Sequence, residues 1–181
     1  WTPVKPIPKR DEFSGDKLAL PWNFIRTPFT KWYNLTNDKL CIELRPEVLD
    51  SLVNPSYIGK RIQHHQFEAS TSFKFSSKKE NEQAGLVLYR NSKNHIQLVK
   101  QKNELILIAT KRGVRTEIKR VPFNEKNVFV KVEGDNIRAT FSYGTSNNSY
   151  TVLAKDADLT IIADEVALGF NGPYVGMYAT S

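Results

Sequence analysis

At 181 residues, 40% hydrophobic and 25% charged, the chain has the composition of a globular domain large enough to bury a core without staples. Its formal charge of +7 is dispersed in pairs (Lys9 with Arg10, Lys60 with Arg61, Lys78 with Lys79, Lys111 with Arg112, Lys119 with Arg120), which argues against the dense basic stripe of a nucleic-acid partner. No apolar run approaches the roughly 20 residues of a membrane-spanning helix, and one cysteine, Cys41, excludes an internal disulfide.

The chain opens on Trp1, Thr2, Pro3, Val4, Lys5, Pro6, Ile7 and Pro8. Residues 1–10 read as an extended, Pro-rich linker from a further domain on the N-terminal side, and residues 11–181 as one folded unit. A loop-rich stretch follows in which Trp22, Phe24, Phe29, Trp32 and Tyr33 crowd around Pro21 and Pro28. Exposed, Trp22 or Trp32 would stack a sugar ring; buried, they would plug an open end of a core. Leu40, Ile42 and Leu44 then alternate with Cys41, Glu43 and Arg45, the pattern of a strand on which Cys41 is an inert small residue.

Residues 60–75 read as a single strand. Phe67, Ala69, Thr71, Phe73 and Phe75 share one parity, with Glu68, Ser70, Ser72 and Lys74 on the other. At its start Arg61, Gln63, His64 and His65 crowd polar groups that a structural strand does not need. Strands follow over residues 84–90, 96–99, 105–109, 115–121, 128–132, 137–143, 150–153 and 175–180. Turn residues at 91–94, 102–103, 112–113 and 134–136 space them as hairpins of a meander, and residues 157–167 hold at most a short helical turn. The fold class is all-β, a two-sheet antiparallel sandwich. Phe67, Phe73, Phe75, Leu86, Leu88, Ile96, Leu98, Val130, Ile137, Phe141, Val175 and Met177 are its expected core.

Catalytic signals are weak. His64 and His65 would point to opposite faces of a strand and could not chelate one ion together. Glu80 and Glu82 have the spacing of a carboxylate pair, but nothing in SerSerLysLysGluAsnGlu (76–82) desolvates a carboxyl.

The ordered set Asp11–Gly15, Leu18, Trp22, Phe24, Arg26, Pro28 and Trp32, then Arg61, Gln63, His64, Phe67, Ala69 and Thr71, then Glu82–Tyr89, and finally Glu165, Gly169, Phe170, Gly172, Val175, Gly176 and Tyr178 resembles the C-terminal concanavalin A-like β-sandwich (a jelly roll) of family-43 glycoside hydrolases, the β-xylosidase and α-L-arabinofuranosidase group. Ile62 departs from the usual Arg-Gln-Gln-His run, and Tyr150 stands where a Trp is common. The resemblance implies a non-catalytic accessory domain. In this group an N-terminal five-bladed β-propeller of the same polypeptide carries the catalytic carboxylates, inverts xylosides or arabinosides, and takes xylo- or arabino-oligosaccharides. The sandwich lends a loop to the substrate pocket; here its aromatic would be Tyr57, on the loop 54–59, supported by Arg61, Gln63 and His64 at the domain interface. Such sandwiches also hold a structural Ca²⁺, for which Glu12 and Asp164 offer oxygen ligands. The resemblance favours a bacterial periplasmic or extracellular setting over the cytoplasm. An autonomous carbohydrate-binding module centred on Trp22 and Trp32 is the alternative.

Overall fold

The computed structural model describes residues 9–181; the expected linker, residues 1–10, lies outside them except for Lys9 and Arg10. The described strands are β1 (Asn23–Phe24), β2 (Tyr33–Leu35), β3 (Leu40–Ile42), β4 (Ser56–Arg61), β5 (Gln66–Lys74), β6 (Gln83–Asn91), β7 (Asn94–Gln101), β8 (Glu104–Lys111), β9 (Val114–Pro122), β10 (Asn127–Asp135), β11 (Arg138–Ser146), β12 (Ser149–Asp158) and β13 (Tyr174–Thr180). One seven-stranded sheet has the order β1-β4-β13-β6-β7-β8-β9, a four-stranded sheet the order β12-β11-β10-β5, and β2 pairs only with β3. A 3-10 turn (Leu159–Ile162) and the one-turn helix α1 (Asp164–Ala167) fill the segment expected to hold a helical turn.

Every pairing in the two large sheets is antiparallel, and the sheets form the sandwich that the alternation predicts. Leu86, Leu88, Ile96, Leu98, Leu105 and Leu107 of the larger sheet pack with Val128, Val130, Val132, Ala139 and Phe141 of the smaller. β5 buries its apolar parity only in part, with Phe67, Ala69 and Phe73 against this core. The hairpins close as their turn residues require: Arg112 and Gly113 take φ of 52° and 83° between β8 and β9, the positive pair that suits the strand twist.

Three expectations are corrected. Residues 60–75 are not one strand: β4 ends at Arg61 in the seven-stranded sheet, residues 62–65 cross over, and β5 begins in the other sheet. Gly134 lies within β10 rather than in a turn: it pairs with Phe67 of β5, and its glycine leaves room for the Phe67 ring, into which a Cβ would run. Ile137 has the right parity but sits at the β10–β11 turn, beyond the reach of the facing sheet, and is 56% exposed.

β6 is buried on both faces. Its outward parity, Val87 and Tyr89, joins Tyr57, Val99, Ile106, Ile108 and Tyr178 in a second apolar layer covered by Ile25 and Leu49. The segment ahead of β4 thus roofs part of the outer face. Asn54 pins that roof by accepting from Trp32 Nε1 at 2.8 Å and donating to the carbonyls of Ile25 and Arg26.

Candidate functional site

The crossover 62–65 and the loop 168–173 meet at one end of the sandwich. Ile62 N donates to Pro173 O at 2.9 Å, and His65 O accepts from Asn136 N at 2.9 Å, which brings the β10–β11 turn alongside. Arg61 reaches across this end: its Nη1 donates to Asn171 O, its Nη2 to Tyr174 Oη at 2.7 Å, and its guanidinium stands 4.9 Å from the Tyr174 ring centroid. A planar fork suits that task, since it satisfies several acceptors while stacking on a ring. Beneath it, the buried Arg90 donates to Gly172 O and pairs with Asp164 at 2.7 Å. Gly169 and Gly172 take φ of 109° and 65°, conformations that glycine adopts without steric cost.

The loop so held carries Leu168 and Phe170 outward, at 76% and 101% exposure. Gln63, His64 and His65 are exposed on the neighbouring crossover. The described chain runs past the same end: Asp11 accepts from Trp22 Nε1 at 2.6 Å, and Lys60, beside Arg61, stands 4.3 Å from the Trp22 ring centroid. Burial pushes the Asp11 carboxyl up, but the bonds from Trp22 and from Phe13 N outweigh it and hold the group below its ordinary value.

Several expected site residues lie elsewhere. Tyr57 is not on a loop: it is a β4 residue, 1% exposed, between Tyr89 and Tyr178 in the outer layer. Trp32, 1% exposed, is a roof residue bonded to Asn54, not a sugar platform. Trp22 is half-buried, with Phe13 at 5.5 Å and Lys60 against its ring. Glu12 pairs with Arg10 and Asp164 with Arg90, so each carboxylate expected to bind Ca²⁺ has an arginine partner. Among the described residues no three His, Cys, Asp or Glu side chains gather to hold a metal. His64 and His65 sit in the bend between β4 and β5 and not on a strand. No sequence pattern singles out Leu168 as a surface residue, and Phe170 enters only through the resemblance. The usable signal was two large apolar residues set among Gly169, Asn171, Gly172 and Pro173.

The sequence profile of the family described as "Beta xylosidase C-terminal Concanavalin A-like domain" matches residues 10–181. The chain belongs to this family. The chain is 32% identical over 185 residues to a xylosidase/arabinosidase of Butyrivibrio fibrisolvens, covering 98% of the chain and 36% of that protein. It is 31% identical over 188 residues to a non-reducing end alpha-L-arabinofuranosidase of Bacteroides ovatus, covering 96% of the chain and 34% of that protein. In three dimensions it superposes on a family-43 glycoside hydrolase of Bacillus licheniformis with a TM-score of 0.91 at 21% identity, over 99% of the chain and 37% of that structure. The chain therefore spans about a third of the length of the relatives it matches.

Proposed function

We propose that this chain is a non-catalytic accessory domain of a glycoside hydrolase of the xylosidase/arabinosidase class, paired in the same polypeptide with a catalytic β-propeller that acts on xylo- or arabino-oligosaccharides. The observation that carries the reading is the end of the sandwich where Leu168 and Phe170 project beside Gln63, His64 and His65. Two large apolar side chains held outward on a loop fixed by two arginines are costly to leave in water and suit a protein interface. The same end borders Asp11, so a domain preceding it would arrive next to this surface. Its propeller partner would cover Phe170. The crossover 62–65, rather than Tyr57, would then face the substrate pocket.

The test is the full-length protein with Phe170→Asp, and separately His64→Ala. Phe170→Asp is expected to split the thermal transition or lower its midpoint by loosening the domain pair, while His64→Ala raises KM for an aryl pentoside. Wild-type melting and kinetics in both variants would place the pairing surface elsewhere.

A further inference from the structure

The outer face of the seven-stranded sheet is only partly roofed. Where the roof ends, between Leu49 and the edge strand β9, it leaves a cleft of about 300 Å³ whose lining includes Asp50, Gln83, Gln97, Arg115, Tyr178 and Thr180. These groups come from the roof and from strands β6, β7, β9 and β13, so the cleft is built by the fold and not by one mobile loop.

Gln97 is the unexpected member. It is 2% exposed, and its partners across the sheet are Val87 and Ile108. Packing alone would place a third aliphatic there, since a buried amide is costly unless its donor and acceptor are engaged. Around it stand groups of complementary type. Gln83 donates its amide N–H to Gln101 Oε1 at 3.0 Å, which leaves its carbonyl oxygen as an acceptor. Asp50 is set firmly, with one carboxylate oxygen 3.1 Å from the buried His95 Nε2 and the other 3.9 Å from Arg115 Nη1. The apolar part of the lining is Val48, which is exposed, with Leu49 and the Tyr178 ring almost fully buried beside it.

These features narrow the ligand. Asp50 and Arg115 neutralise each other, so neither an anion nor a cation finds an uncompensated charge. A purely apolar ligand would strand the Gln97 amide. A neutral polyol ring meets every condition, because its hydroxyls both donate and accept toward amides, carboxylate and guanidinium while its C–H face rests on apolar side chains. The volume lies at the small end of ligand clefts, the size for one ring. We propose that this cleft binds a single neutral sugar residue, the end of an oligosaccharide, independently of the domain-pairing surface around Phe170.

The test is a calorimetric or protein-observed NMR titration of the 181-residue chain with xylotriose, arabinotriose and cellotriose as neutral probes and glucuronate as the charged one. At least one neutral probe is expected to bind saturably and to shift resonances of Gln97 and Arg115. Gln97→Leu matches its aliphatic neighbours and is expected to fold and melt like the wild type, yet to weaken binding about tenfold or more; Arg115→Met is expected to do likewise. Trp22→Ala should leave affinity unchanged. The proposal fails if no neutral probe saturates, if only glucuronate binds, or if affinity survives Gln97→Leu and Arg115→Met. Wild-type domain pairing in the full-length Gln97→Leu variant separates this outcome from the accessory role.

Discussion

The ring of Tyr57 lies across the backbone of Gly176: a Cβ built on Gly176 would stand 2.7 Å from Tyr57 Cζ. Gly59, the cross-strand partner of Gly176, does the same, with a Cβ only 2.8 Å from Tyr57 Cε1. Two adjacent strands therefore give up side chains to make a slot for one aromatic ring. Gly59 is needed for room, not for a turn.

That slot makes Tyr57 a stability residue. Tyr57→Ala is expected to cost about 3–5 kcal/mol, the range for emptying a buried aromatic site. Tyr57→Phe should be neutral or slightly stabilising, because Tyr57 Oη is buried without a hydrogen-bond partner among the described residues and its removal relieves an unpaired polar group. Urea denaturation of the two variants checks this. A large loss in Tyr57→Phe would mean that the hydroxyl has a partner.

Asp50 fastens the roof through His95, whose ring is completely buried. The hydrogen bond from His95 lowers the Asp50 carboxyl, burial opposes it, and the charges of His95 and Arg115 add to the lowering. A folded-state pKa below the unfolded one gives stability that is present above the unfolded value and lost as pH falls through the folded value. Asp50→Asn should therefore lower Tm at neutral pH by about 2–4 °C, and the gap to the wild type should begin to narrow as pH falls below the ordinary carboxylate value, about 4, closing only below the folded-state value. A gap that stays constant from pH 7 to pH 3 would show that the loss has another source.

Much of this fold was legible because alternation is a local property. Phe67 to Phe75, Leu86 with Leu88, and Ala139 with Phe141 announce their buried face by parity, and Arg112-Gly113 announces its hairpin. What parity cannot report is which sheet a strand joins. Lys60 to Phe75 read as one strand because no Gly or Pro interrupts it, although the apolar parity of Phe67 to Phe75 breaks at Gln63 and His65 in the crossover 62–65. Nor does sequence reveal a second buried layer. Tyr57 and Trp32 look like surface aromatics until Leu49 and Ile25 are folded over the sheet, a contact between segments that share no local pattern. The resemblance draws in Arg61, Gln63, His64 and Phe170, but it does not tell that Phe170 is exposed, which depends on how Arg61 and Arg90 hold the loop.

Lys100 is another residue that pattern alone misreads. Its side chain is buried, and its ammonium donates to the carbonyls of Phe123 at 2.9 Å and Glu125 at 2.6 Å, holding the β9–β10 connection. Lys100→Met keeps the aliphatic stem and strands both carbonyls, so a loss of about 1–3 kcal/mol is expected. Chemical denaturation reads this directly. An unchanged midpoint would mean that water replaces the ammonium without penalty.

The 181-residue chain by itself is expected to release no 4-nitrophenol from aryl xylosides or arabinosides. Hydrolysis of a glycoside needs one carboxyl kept protonated near neutrality as the acid and a second as base or nucleophile. Glu82 is arranged for the opposite: its carboxylate accepts from the backbone N–H groups of Lys78 and Lys79, and those bonds, led by Lys78, hold it below its ordinary value despite burial. Glu80 is exposed and pairs with Lys102, with nothing around it to exclude water. Glu82 is thus an anchor for the loop ahead of β6, and Glu82→Gln should lower Tm while leaving the absence of turnover unchanged. Turnover by the wild-type chain that either Glu80→Gln or Glu82→Gln abolishes would make the pair catalytic after all.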